Sequence, residues 1–115
     1  LLTERMHRYE GGKIAVAPVS LSLMDEAGAT EEDMEDIAAF LGQIEGVETS
    51  VTIRELAEGG CKLSVRTSGG RNATKVCALL GGGGHAAAAG CTVSGTLVEA
   101  EAAILDAIRQ VEARA

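Results

Sequence analysis

Aromatic side chains are nearly missing from this chain. Tyr9 and Phe40 are the only two in 115 residues, and tryptophan is absent. A platform for stacking an extended single strand of nucleic acid is therefore lacking, and the core has to come from Leu, Ile, Val and Ala. Apolar residues make up 46% of the chain, which is enough for a core and too much for a disordered segment. No apolar run approaches about 18 residues, which excludes a transmembrane helix, and no basic-then-apolar leader is visible. Cysteine is sparse. Cys61, Cys77 and Cys91 are odd in number and widely spaced, which argues against a disulfide framework and a zinc site and for reduced thiols in a cytoplasmic protein. There is no second His near His85, no carboxylate at metal-ligand spacing, and no legible Ser-His-Asp or Cys-His set. The sequence offers a binding surface and lacks obvious catalytic machinery. It also begins at Leu1 without Met, so a piece of a longer protein is expected.

The net charge of −7 is unevenly spread. Residues 1–50 carry three basic and eleven acidic side chains, whereas residues 51–90 carry Arg54, Lys62, Arg66, Arg71 and Lys75 against Glu55 and Glu58. A local positive field inside an acidic protein suits a small anionic ligand better than a long duplex.

Patterning predicts one α/β domain, a single sheet of about four to five strands including a hairpin, flanked by helices. Residues 1–10 read as a linker or helix remnant, with Leu2, Met6 and Tyr9 on one side, and residues 11–115 as the folded domain. "KIAVAPVS" is a buried strand ending near Pro18, and "LSLMDEAG" forms one or two helical turns. Thr30 and Asp33 frame a capping box for a helix with apolar Met34, Ile37, Ala38, Leu41 and Ile44, stopped by Gly46. Its acidic first turns read as a solvated helix start. "VETSVTIREL" and "CKLSVRT" alternate as a hairpin, with Val47, Val51, Ile53, Leu63 and Val65 on one face and Arg54, Lys62, Ser64 and Arg66 on the other. Asn72 caps a short helix over 73–80, "GCTVSG" is a strand, and Thr96 and Glu99 open a last helix with Leu97, Ala100, Ile104, Ile108 and Val111 in a stripe. Asn72-Ala73-Thr74 matches a glycosylation acceptor by chance.

The most unusual stretch is "GGGGHAAAAG", residues 81–90. Each glycine costs roughly 0.5–1 kcal/mol relative to Ala when ordered. A Walker A loop fails, because Gly84 is followed by His85 and Ala86 in place of Lys-Ser/Thr. A dinucleotide fingerprint fails, because a helix and no strand precedes the run. A flexible connection with a lone surface histidine stays open. The other reading is a bare shelf on which backbone N–H groups approach a phosphate or sugar, with His85 as a polar finger. The small Ala86 to Ala89 favour the shelf, since they admit close approach.

These residues resemble the signature Gly-Gly-Gly-Gly-His-x-x-Ala-Ala-Gly of the DHH-associated domain, the C-terminal lobe of RecJ-like DHH phosphoesterases. "KLSVRTSGGRNATKVCALLGGGGHAAAAG" follows its wider pattern, and "IEGVETSVTIRE" looks like its preceding strand. The likeness spans about residues 11–112 and is strongest to nano-RNases and pAp phosphatases. It implies a preceding DHH lobe with two manganese ions that hydrolyses short RNA oligonucleotides or 3′-phosphoadenosine 5′-phosphate. The lobe seen here would hold the nucleotide or short single strand through Arg54, Ser64, Arg66, Gly81, Gly82, Gly83, Gly84, His85, Ala89 and Gly90. It would carry no cofactor or catalytic residue of its own. The resemblance also admits a homodimer. Cyclic-dinucleotide breakdown and an RNA-binding module similar to the C-terminal domain of alanyl-tRNA synthetase are the alternatives.

Overall fold

A computed structural model describes residues 6–28 and 30–113. Six strands form one sheet: β1 (His7–Tyr9), β2 (Ile14–Val19), β3 (Thr49–Glu55), β4 (Cys61–Thr67), β5 (Gly83–His85) and β6 (Ala88–Val93). Their spatial order is β1-β2-β3-β4-β6-β5, and β2–β3 is the parallel pair. Among the described residues there are also four α-helices, α1 (Leu21–Ala27), α2 (Glu31–Leu41), α3 (Ala73–Ala78) and α4 (Leu97–Ala113), and a 3-10 turn over Glu10–Gly12. Helix α2 packs on β3 and β4, α3 on β4, β5 and β6, and α4 on β2, β3 and α3.

Alternation decides the layers. Val51, Ile53, Leu63 and Val65 are fully buried in one cluster with Ile14, Val16, Val76, Ile104 and Ile108. Each such aliphatic side chain contributes about 1.5–3 kcal/mol by leaving water. The stripe predicted for the last helix is the one that α4 buries, and Thr96 and Glu99 exchange both bonds of a capping box. Thr30 and Asp33 do the same for α2, whose Met34, Ala38 and Leu41 are buried. The side chain of Asn72 accepts from the Lys75 N–H and caps α3. Cys61, Cys77 and Cys91 are free and buried. No helix among the described residues is long and apolar enough to cross a membrane.

Several expectations need correction. The sheet has six strands, because β1 and β5 were not foreseen. The linker or helix remnant expected over 1–10 lies partly outside the described residues, and within it His7–Tyr9 is an edge strand paired to Ile14–Val16. Its anchor is long-range: the Glu101 carboxylate of α4 accepts hydrogen bonds from His7 Nδ1 at 2.9 Å and from the Tyr9 hydroxyl. Strand β2 runs through Pro18 to Val19. Its pairing with β1 reaches only Val16, so the missing proline N–H falls where β2 has one described neighbour. Helix α2 stops at Leu41 with Gly42 as its cap residue, so Ile44 and Gly46 lie beyond it.

Candidate functional site

The ladder registers fix which residues share a face. Opposite residues on paired strands point to the same side of a sheet. Ser50 pairs with Arg66, Arg66 with Ala88, and Ala88 with His85. One transverse row therefore reads Ser50, Arg66, Ala88, His85. The next row is Thr52, Ser64, Gly90, Gly83, and the third is Arg54, Lys62, Thr92. This face lies opposite the main core. It presents Arg54, Lys62 and Arg66 along one side, His85 on the far strand, and a strip of Ala88, Gly90 and Gly83 with almost no side chain between them.

The four glycines divide by role. Gly81 has φ +83° just past α3, a left-handed conformation that glycine adopts without strain. A Cβ at Gly82 would collide with the Gly90 carbonyl and stand 2.5 Å from Cys91 Cβ; one at Gly84 would stand 2.6 Å from Ala89 Cα. Both are required for close strand packing. A Cβ at Gly83 would meet nothing within 4 Å. That glycine is the open part of the shelf, whereas a Cβ at Gly90 beside it would stand 3.2 Å from the Leu63 carbonyl oxygen. Ala89 pairs with Gly84 and Val65, so its side chain turns to the other face and packs against the core.

His85 is exposed at the end of β5, and Ala86-Ala87 is a tight turn into β6. The turn is pinned from below. The Ala86 carbonyl accepts from the Ala73 N–H at 2.7 Å and from the Thr67 hydroxyl at 2.9 Å, and the Ala87 carbonyl accepts from the Thr67 N–H. The Gly82 N–H donates to the Cys77 carbonyl at 2.9 Å. Beneath the loop, a hydrogen bond to Cys91 together with burial pushes the Cys77 thiol up, so it stays an inert core thiol. The histidine loop is thus a hairpin held at both ends.

The acidic start of α2 is not only a solvated face. Glu32 and Glu35 line a pocket of about 150 Å³ with Met34, Thr52, Arg54, Lys62 and Ser64. Glu35 Oε2 accepts from Arg66 Nη2 at 3.0 Å. Sequence reading missed this pair, although Glu35 follows buried Met34 directly and precedes Ala38 by three residues, which places it on the border of the apolar stripe. The hydroxyl of Ser50 is buried without a partner and lines a small recess with Arg66.

The positive segment is not one patch. Arg71 turns to the opposite face, where Glu48 accepts from its Nε at 2.9 Å and Glu112 from its Nη1. Burial disfavours the Arg71 cation, but the two carboxylates hold it more firmly charged than usual, and Arg71 in turn holds Glu48 below the ordinary carboxylate range. A larger groove of about 760 Å³ opens there, lined by Val76, Leu79, Ile108 and Val111 with Arg71 and Lys75. Its guanidinium is already satisfied. The smaller pocket is the one where the cations and hydroxyls of the β3–β4 hairpin meet the carboxylates of α2. Among the described residues, no group of three or more His, Cys, Asp or Glu stands where it could hold a metal ion.

Fold and site together define a one-sheet α/β domain that sets an arginine and a histidine in one row of a sheet face, two strands apart. The chain matches the DHHA1 domain over residues 11–114 and belongs to that family. It is 41% identical over 98 residues to the bifunctional oligoribonuclease and PAP phosphatase NrnA of Thermus thermophilus, covering 84% of this chain. The chain spans 30% of the length of that relative. In fold it resembles an exopolyphosphatase-related protein from Bacteroides fragilis (TM-score 0.86, 24% identity, 95% of this chain and 32% of that one). It also resembles the pGpG-specific phosphodiesterase PggH from Vibrio cholerae (TM-score 0.62, 15% identity, 97% and 36%).

Proposed function

We propose that this domain is the nucleotide-holding lobe of a DHH phosphoesterase that acts on short RNA oligonucleotides or on 3′-phosphoadenosine 5′-phosphate. The observation that carries the reading is the row Arg66, Ala88, His85, which sets a guanidinium and an imidazole on one face with an alanine methyl between them. The 41% identity to a bifunctional oligoribonuclease and PAP phosphatase supports the substrate class.

The roles follow from chemistry. Arg66 grips a phosphate with two parallel N–H bonds, with Ser64 as a neighbouring hydroxyl donor. Arg54 and Lys62 supply charge farther along the strands. The glycine strip lets the sugar-phosphate lie close to backbone, and His85 hydrogen-bonds or stacks at the other end. These residues bind and orient, which is a positioning contribution. The bond-breaking centre with its two manganese ions belongs, in this reading, to a DHH lobe of the same protein.

His85→Ala in the full-length protein tests it. The KM for pAp and for a short RNA should rise about 5- to 30-fold, the scale of one hydrogen bond to a charged group or one stacked base, with Tm unchanged. An unchanged KM with a lowered Tm would make His85 a structural residue and remove the reading.

A further inference from the structure

The pocket beside Arg66 is rich in donors. Arg54, Lys62 and Arg66 bring N–H groups, and Thr52 and Ser64 bring hydroxyls. A nucleotide offers phosphate oxygens to such donors, but its sugar hydroxyls are donors too and need acceptors. The acceptor-only side chains over this pocket are Glu32 and Glu35, and Glu35 touches Arg66 at 3.0 Å. Both members of that ion pair are solvent-accessible, with side chains 37% and 59% exposed, so the contact is weak. A phosphate that forks onto Arg66 displaces it easily. The released carboxylate then faces the phosphate across a gap. Two anions repel unless a proton donor lies between them, and on a ribonucleotide the 2′-hydroxyl next to the phosphate is such a donor.

We propose that Glu35 is a specificity-determining residue that accepts the ribose 2′-hydroxyl beside the phosphate held by Arg66, so that this face selects ribonucleotides over deoxyribonucleotides. The inference rests on the nucleotide-holding reading above. A deoxyribose leaves the carboxylate facing the phosphate without a bridging proton, so deoxy ligands are penalised as well as deprived of a hydrogen bond.

The test uses the full-length protein with matched ribo- and 2′-deoxyribo-dinucleotides, comparing KM for wild type, Glu35→Ala and Glu35→Gln. Glu35 is exposed on a helix surface, so neither change threatens folding. Glu35→Ala should reduce the RNA-over-DNA preference by about tenfold, the scale of one hydrogen bond to a charged group, through a higher KM for RNA and a lower one for DNA. Glu35→Gln, which keeps an acceptor, should retain part of the preference. If both variants tighten RNA and DNA equally, Glu35 is only a counter-ion of Arg66 and the inference is wrong. An unchanged ratio with unchanged affinities overturns it too, while leaving the nucleotide-holding reading standing. A wild-type protein that handles neither dinucleotide removes both.

Discussion

Arg66 and His85 stand in one row of the sheet, separated by Ala88 of the strand between them. Two interstrand steps amount to roughly 10 Å, too far for the side chains to pair through backbone proximity alone and suited to a ligand that bridges them. The rows on either side carry the remaining polar groups of the face.

Arg66 should be irreplaceable by lysine. Lysine keeps the charge but offers a point donor on a flexible stem in place of the fork. In affinity measurements at low and high salt, Arg66→Lys should recover little of the binding lost in Arg66→Ala. Retention by the lysine variant, with the loss in Arg66→Ala shrinking steeply as salt rises, would show that Arg66 supplies charge and no geometry, since a purely electrostatic contribution is screened.

The glycines should separate by position. Gly82→Ala forces a methyl into the Gly90 carbonyl and Cys91, and overpacking of this kind costs about 1–3 kcal/mol. A clear fall in Tm is expected. Gly83→Ala meets open space, so Tm should hold while nucleotide affinity drops. Equal loss of stability in both variants would make the run a packing device throughout.

Much of this was legible in advance. The capping residues Thr30, Asn72 and Thr96, the apolar stripe of α4 and the two faces of the β3–β4 hairpin follow from periodicity and local hydrogen bonding, and they stand as read. Strand β5 was not legible, because Gly83 and Gly84 carry no side chains and so show no alternation. Strand β1 is too short to reveal a period, and it is fastened by Glu101, more than ninety positions away in sequence. Glu35 escaped for a different reason: an acidic first turn is explained by the helix dipole alone, so nothing local distinguishes a carboxylate that also reaches across to Arg66.

The Tyr9 latch should show in alkaline titration. Its hydrogen bond to Glu101, with desolvation and the nearby negative charge, pushes the phenol up to about 12. A group raised in the folded state stabilises fully below its unfolded value near 10. That stability is then lost as pH climbs through the folded one. Tyr9 is the one tyrosine in this chain, so ultraviolet titration reports it alone. A midpoint near 12 is expected, with Glu101→Gln moving it back toward 10. A wild-type midpoint at the ordinary value would mean that β1 is not held by this contact.

In the proposed reading the nucleotide lies on the Arg66–His85 face and not in the larger groove between α3 and α4. An amide chemical-shift titration of this chain with pAp addresses it residue by residue. Shifts are expected to concentrate at Arg66, Gly83, His85 and Gly90, with Arg71, Val76 and Val111 silent. Shifts confined to Arg71, Val76 and Val111, with Gly83 and His85 unmoved, would contradict it.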